Sequence, residues 1–336
     1  MSWFRYSVLC AVISWGIPSV GAAGEQIIVV GSSTMFPFST IVGDHFAKSG
    51  PFKTPDVRSS STSEGIKLFC SGRGGESPDI ATASRRMTAS ERAACAAAGV
   101  RRISEIRIGY DSLILASIAG HTGVDVTPDQ FWRAVAKFVP VDGAFVPNPY
   151  LKWRDIAPTL PDQPIELFGP APGHGTRDAL VSLVMEPSCS ASAAASKLSA
   201  AERERRCSAV REDGRWTNVE NLELILGKLA SNPHAMGVMT YSYLEEFPNR
   251  IGAAAINGVS PTRVSISSGT YTFSRPLFIY VNGEHLLTTS GLADYAAEYV
   301  SLCAAGATGY LLDEGLVPLP MPELLQQRKI AARLQR

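Results

Sequence analysis

Short β-branched or apolar runs alternate along this chain with stretches whose apolar residues recur at helical spacing. Residues 26–30 form one such run and read as a buried strand. They lead into Gly31, Ser32, Ser33 and Thr34. Pro37 then suits a first helical turn, and Phe38, Ile41, Val42, His45 and Phe46 follow at helical spacing. The same order returns at Val57, where a strand-like step meets the hydroxyl-rich 59–63 segment and a short helix with Ile66, Leu68 and Phe69. It returns again at 164–168, which feed Gly169, Pro170, Ala171, Pro172, Gly173, His174, Gly175 and Thr176. Beyond Thr176 the pattern turns helical through Met185.

Further elements fill the gaps. Residues 72–77 read as a loop and 78–86 as a strand ending in Ser84, Arg85 and Arg86. Residues 88–98 read as an Ala-rich helix and 103–118 as a long apolar stretch carrying Tyr110 and Asp111. Helices are expected over 126–138, 219–229 and 286–302 and after Pro322. Strands are expected within 237–244 and over 276–281. Residues 190–207, Ala/Ser-rich and then charged, read as a surface excursion. Strands alternating with helices give an α/β class. Crossings near Tyr110–Asp111 and before Pro276 suit two lobes. One is discontinuous, from 24–110 and 271–336; the other is 111–270.

Composition adds a compartment. Residues 1–23 carry one charge, Arg5, then an apolar run ending in Val20, Gly21 and Ala22, with small residues placed as at a cleavage site. They read as a secretory signal peptide, too short in their apolar run to span a membrane comfortably. The whole chain of 336 residues has formal charge zero, which argues against a general nucleic-acid binder. Cys10 falls in the signal segment. For an exported chain the local disulfide choices are Cys70–Cys95 and Cys189–Cys207, with Cys303 outside them. No cysteine or histidine spacing resembles a zinc site, and no cofactor motif appears.

The polar turns carry the candidate chemistry. Ser32-Ser33-Thr34, Thr62-Ser63 and Gly175-Thr176 each open a helix and offer backbone N–H groups and hydroxyls. Helix starts present unpaired donors and a positive dipole end, which suit an anion.

Motifs add a resemblance. Gly31-Ser32-Ser33-Thr34, Lys67-Leu68-Phe69-Cys70 and Asp79-Ile80-Ala81-Thr82-Ala83-Ser84-Arg85-Arg86 stand in order. With further matching segments at 108–116, 169–180, 211–214, 232–247 and 274–281, the chain resembles the periplasmic phosphate-binding components of ABC transporters. The resemblance implies a type II periplasmic-binding-protein fold, with two α/β lobes and a ligand cleft between them. It implies phosphate bound by Ser33, Thr34, Met35, Thr62, Ser63, Ser84, Arg85, His174, Gly175, Thr176 and Arg177. Arg85 is the first choice of guanidinium and Arg177 the second, each with the alternative of pairing a neighbouring acid. It also implies a monomer that hands its ligand to a membrane permease, without cofactor or nucleic acid.

Two positions depart from the pattern. His174 stands where the family has serine, and Glu64 where it has glycine. A histidine can still donate, more strongly when protonated. Glu64 is either a proton acceptor for the ligand or a solvent-facing side chain, and Asp111 is a second candidate acceptor. Binding, adhesion or signalling with another oxyanion, and phosphate-ester hydrolysis, are the rival readings. On the motif reading, Arg85→Ala weakens binding more than Thr34→Ala. Mass spectrometry of the exported protein should show a chain lacking residues 1–22. Recovery of Arg5 in a membrane-bound mature form would overturn the signal assignment.

Overall fold

The computed structural model describes residues 26–71, 77–121 and 124–335. The expected signal segment, and residues 72–76 of the expected loop, lie outside the described residues. The strands in chain order are β1 (Ile28–Ser32), β2 (Asp56–Ser60), β3 (Ile80–Ala83), β4 (Ile103–Ile118), β5 (Phe138–Val141) and β6 (Ala144–Pro147). They continue with β7 (Leu167–Pro170), β8 (Trp216–Val219), β9 (Met236–Thr240), β10 (Ile251–Ala253) and β11 (Ser274–Asn282).

The main sheet runs β2-β1-β3-β11-β4-β9-β7-β8, with β10 also paired to β4. β1 is parallel to β2 and β3, and β7 is parallel to β8 and β9. Between these parallel groups lies the antiparallel pair β4–β11. The long 103–118 stretch is one strand. It pairs with β11 through Ile103–Ser112 and with β9 through Leu113–Ala116. A single strand therefore belongs to both parts of the sheet. Its middle residues are buried, which is why its sequence reads as an apolar run rather than an alternation.

Helices cover the sheet as the periodicity requires. α1 (Phe36–Ser49) has proline in its first turn and buries Phe38, Val42 and Phe46. α2 (Thr62–Phe69) is capped by Ser61, whose hydroxyl accepts from Glu64 N–H, and buries Ile66 and Phe69. α3 (Ala89–Ala97) opens on a capping box between Thr88 and Glu91. Among the described residues no helix is long and apolar enough to cross a membrane.

Two glycines let α2 approach the sheet. A Cβ on Gly65 would lie 2.3 Å from Gly31 Cα, and one on Gly31 would lie 2.2 Å from Thr82 O. Gly31 also has φ +143, which disfavours other residues. This contact holds the first turn of α2 against the carboxyl end of β1.

Several expectations need correction. The 126–138 helix ends at Val135, and Phe138 opens the hairpin β5–β6. Asp142 and Gly143 form its turn with φ 49° and 78°, a sequence signal for hairpins that the helical spacing obscured. The strand expected at 164–168 is instead Leu167–Pro170, so Gly169 and Pro170 end β7 rather than follow it. Gly169 is small because the Trp216 ring lies 2.0 Å from where its Cβ would be. The 286–302 helix shortens to Leu292–Glu298, with Leu302–Ala305 after it. The preceding segment instead folds onto buried Asp79, whose carboxylate takes His285 Nδ1 and Thr289 Oγ1 at 2.8 Å each, and Ile28 N–H at 2.8 Å. Ser77 Oγ lies 3.4 Å from His285 Nε2. This serine–histidine–aspartate chain is buried throughout. Its carboxylate ties β1 to the segment after β11.

Both local disulfides are present. Cys70–Cys95 links α2 to α3, and Cys189–Cys207 closes the 190–207 excursion.

Gly65→Ala should destabilise the fold by about 1–3 kcal/mol, the usual cost of overpacking. Gly227→Ala lies inside the Leu222–Ser231 helix, where a Cβ meets open space. It should stabilise by up to about 1 kcal/mol, because glycine is the poorer helix former. Urea unfolding of the two variants checks the pair, and equal effects would contradict the close approach.

Candidate functional site

The polar turns each follow a strand carboxyl end, where ligands of open α/β sheets bind. Through the antiparallel β3–β11, β11–β4 and β4–β9 pairings, β7 runs opposite to β1 and β2. After β1 the chain makes a 3-10 turn, Ser33–Met35, and runs straight into α1. Thr34 is buried there, Ser33 is half-buried, and the Met35 side chain is fully buried in the core.

Thr62 and Ser84 come together from different strands. Ser84 N–H donates to Thr62 Oγ1 at 3.1 Å, and the two hydroxyls lie 3.2 Å apart. Thr62 is the first residue of α2 and Ser84 the first after β3. The parallel β2-β1-β3 order brings them to one edge.

Arg85 is differently occupied from the motif expectation. Its Nη1 and Nη2 donate to Glu91 Oε2 and Oε1 at 2.9 and 2.7 Å. Nη2 also donates to Ser63 Oγ at 2.9 Å, and Nη1 to Arg86 O at 3.1 Å. The guanidinium is thus a brace for Ser63 and for the cap of α3. The bond from Arg85, with Thr88 donating as well, holds the Glu91 carboxyl at about 2. Glu64 is exposed and pairs loosely with Lys67 at 4.0 Å, so it faces solvent.

The third turn starts the Gly175–Leu180 helix, whose helical course continues through Val181–Met185 and Glu186–Ala191. Gly175–Leu180 packs against the Ser33–Met35 turn, bringing the first and third polar turns together. His174 is its N-cap: Nδ1 accepts Thr176 N–H at 3.1 Å. An accepting Nδ1 means a neutral ring with its proton on Nε2. His174 and Thr176 line a cleft of about 330 Å³ with Glu220, Thr240, Ser242 and Gly315. Arg177 turns to the flank of β7. It stacks 5.2 Å over Trp216 and donates to Pro170 O at 3.2 Å, and burial lowers its pKa from the ordinary value. Arg211, in the 211–214 motif, is a buried buttress on Asp213, Ala134 O and Tyr150 O.

One residue of this region escaped the sequence reading. Arg275 lies opposite Asp111 in the β11–β4 register. Its Nε and Nη2 donate to Asp111 Oδ2 at 3.1 and 3.0 Å, and Nη2 also donates to Thr34 Oγ1 at 2.7 Å. Asp111 is therefore a salt-bridge partner. The 274–281 motif contains Arg275, but only the strand register reveals what it faces.

Chemically, this edge offers hydroxyls and helix-start N–H groups, while Arg85 and Arg275 each hold a carboxylate. Such a site can replace an oxyanion's hydration without a large net charge.

A family model described as a PBP superfamily domain matches residues 18–302. Protein SphX of Synechocystis is 27% identical over 304 residues, covering 88% of this chain and 79% of that protein. The phosphate-binding protein PstS of Staphylococcus saprophyticus is 24% identical, covering 89% of this chain and 82% of the relative. The crystal structure of a possible phosphate binding protein from Planctomyces limnophilus matches with a TM-score of 0.69 at 22% identity, covering 94% of this chain and all of that one. An ABC-type phosphate transport receptor from Vibrio cholerae gives 0.57 at 18% identity, covering 88% and 100%.

The depressed Glu91 carboxyl makes an acid-stability prediction. Its folded value of about 2 lies below the ordinary 4.5. The pair's contribution is therefore full above the ordinary carboxyl range and is lost as pH falls toward 2. Urea midpoints between pH 5 and about 2 should fall more steeply for the wild type than for Glu91→Gln. Parallel curves would remove Glu91 from the acid response.

Proposed function

The chain belongs to the PBP superfamily, and from that premise we propose that it is an extracytoplasmic solute-binding protein for phosphate. Its fold is the two-lobed α/β fold of type II periplasmic binding proteins. In this reading residues 24–110 and 271–336 make one lobe and 111–270 the other. The signal segment directs export, the monomer takes phosphate into the cleft, and the loaded form delivers it to an ABC permease. The relatives named phosphate-binding support the ligand class.

The observation that carries the reading is the packing of the Gly175–Leu180 helix against the Ser33–Met35 turn. It joins donors from both proposed lobes at the strand carboxyl ends. Thr34, Thr62, Ser63, Ser84, His174, Gly175 and Thr176 form the proposed ligand set, with backbone N–H groups of Ser33 and Met35. Arg85 acts through Ser63, and Arg177 supports β7. A ligand that touches both lobes binds the closed state better and shifts the population toward it. The closed surface is then the one a permease recognises.

Calorimetry on the chain lacking residues 1–22, against phosphate, sulfate, molybdate and small carboxylates, tests the reading. Phosphate should bind one to one, and small-angle scattering should show a smaller radius of gyration at saturation. Thr34→Ala should weaken phosphate about tenfold or more, as expected for losing a hydrogen bond to a charged group. Arg85→Ala should cost less than Thr34→Ala, the reverse of the motif expectation, because its Nη donors are already engaged. No heat with any of these anions would sink the proposal.

A further inference from the structure

Arg275 stands where three parts of the molecule meet. It lies near the start of β11, on the strand that returns the chain to the β1–β3 side of the sheet. Its side chain and that of Asp111 are only 11% and 9% exposed. Besides Asp111 it donates to Thr34 Oγ1, in the turn after β1, at 2.7 Å. Its Nη1 donates to Ser182 Oγ, on the helical run that begins at Gly175, at 2.7 Å. Ser182 Oγ itself donates to Asp178 O at 2.7 Å, so that acceptor is fixed. One planar guanidinium thus connects the turn after β1, the strand β4 and the helix after β7.

We propose that Arg275 is a positioning residue for the ligand: it orients the Thr34 hydroxyl as a donor and couples it to the helix that carries Gly175 and Thr176. This inference rests on the phosphate-binding reading. A hydroxyl has one proton and two lone pairs. The Arg275 N–H fills one lone pair of Thr34, which turns the Thr34 proton toward another acceptor, such as an oxyanion oxygen. The Ser182 bond fixes the following helix in the same frame. Asp111 offsets the cationic charge, so orientation is gained without a large positive field in the cleft. The geometry needs arginine. A lysine ammonium is a compact point charge and cannot hold Asp111, Thr34 and Ser182 in one planar fork.

The test is a double-mutant cycle in phosphate affinity. Wild type, Thr34→Ala, Arg275→Lys and the double variant are titrated with phosphate, with thermal melting as the fold control. Lys137→Ala, an exposed residue paired with Glu212, is the surface control. Arg275→Lys should retain the fold and lose about tenfold in affinity. The double variant should lie within about threefold of the weaker single variant, because both changes remove the same oriented donor. If Arg275→Lys melts early, Ser182→Ala removes an acceptor without changing charge. It should lose affinity several-fold and show the same non-additivity with Thr34→Ala. Wild-type affinity in a folded Arg275→Lys, or losses that simply multiply in the double variant, overturns the proposal alone. Absence of phosphate binding by the wild type overturns it together with the functional reading.

Discussion

The antiparallel pairing of β4 with β11 is the constraint on which the rest of the molecule depends. It seats the β2-β1-β3 group and the β9-β7-β8 group on either side of a shared pair of strands. Its register sets Arg275 opposite Asp111, next to Thr34. A slip of one residue would send these side chains to opposite faces. The register is held by apolar side chains: Leu277, Phe278, Ile279, Tyr280 and Val281 are all buried. The polar centre is thus placed by packing on the strands around it.

Charge is handled locally. Arg85 holds Glu91 and Arg275 holds Asp111, so the guanidiniums of this edge carry their own carboxylates. Fixed dipoles and hydroxyls are left to meet an anion. This arrangement agrees with a chain whose formal charge is zero. It also accounts for Glu64: a carboxylate at the first turn of α2 is tolerated because it points to solvent beside Lys67.

Much of this was legible in the sequence. The β1, β2 and β7 runs followed by hydroxyl or glycine turns announced themselves by periodicity, and both local cysteine pairs followed from spacing. What stayed hidden depends on contacts remote in sequence. Arg85 is a nearer case: the sequence left open whether it meets the ligand or a neighbouring acid, and the structure shows the pairing with Glu91. Arg275 lies 164 residues from Asp111, and no local pattern joins them. The β5–β6 hairpin was the opposite case. Its Asp-Gly signal was present, but the apolar spacing before it was read as a longer helix. His174 was marked out by its departure from the family pattern, but its capping bond to Thr176 required the backbone path.

The order of strands also governs when the protein can be completed. β3 lies beside β11 in the sheet, yet nearly two hundred residues of chain separate them. During synthesis the β3 edge and one side of β4 stay open until residues 274–282 have emerged. The β2-β1-β3 group cannot close early as an independent unit, and long-range pairings of this kind form slowly. The same strand that joins the two parts of the finished protein is therefore the last of this sheet to arrive.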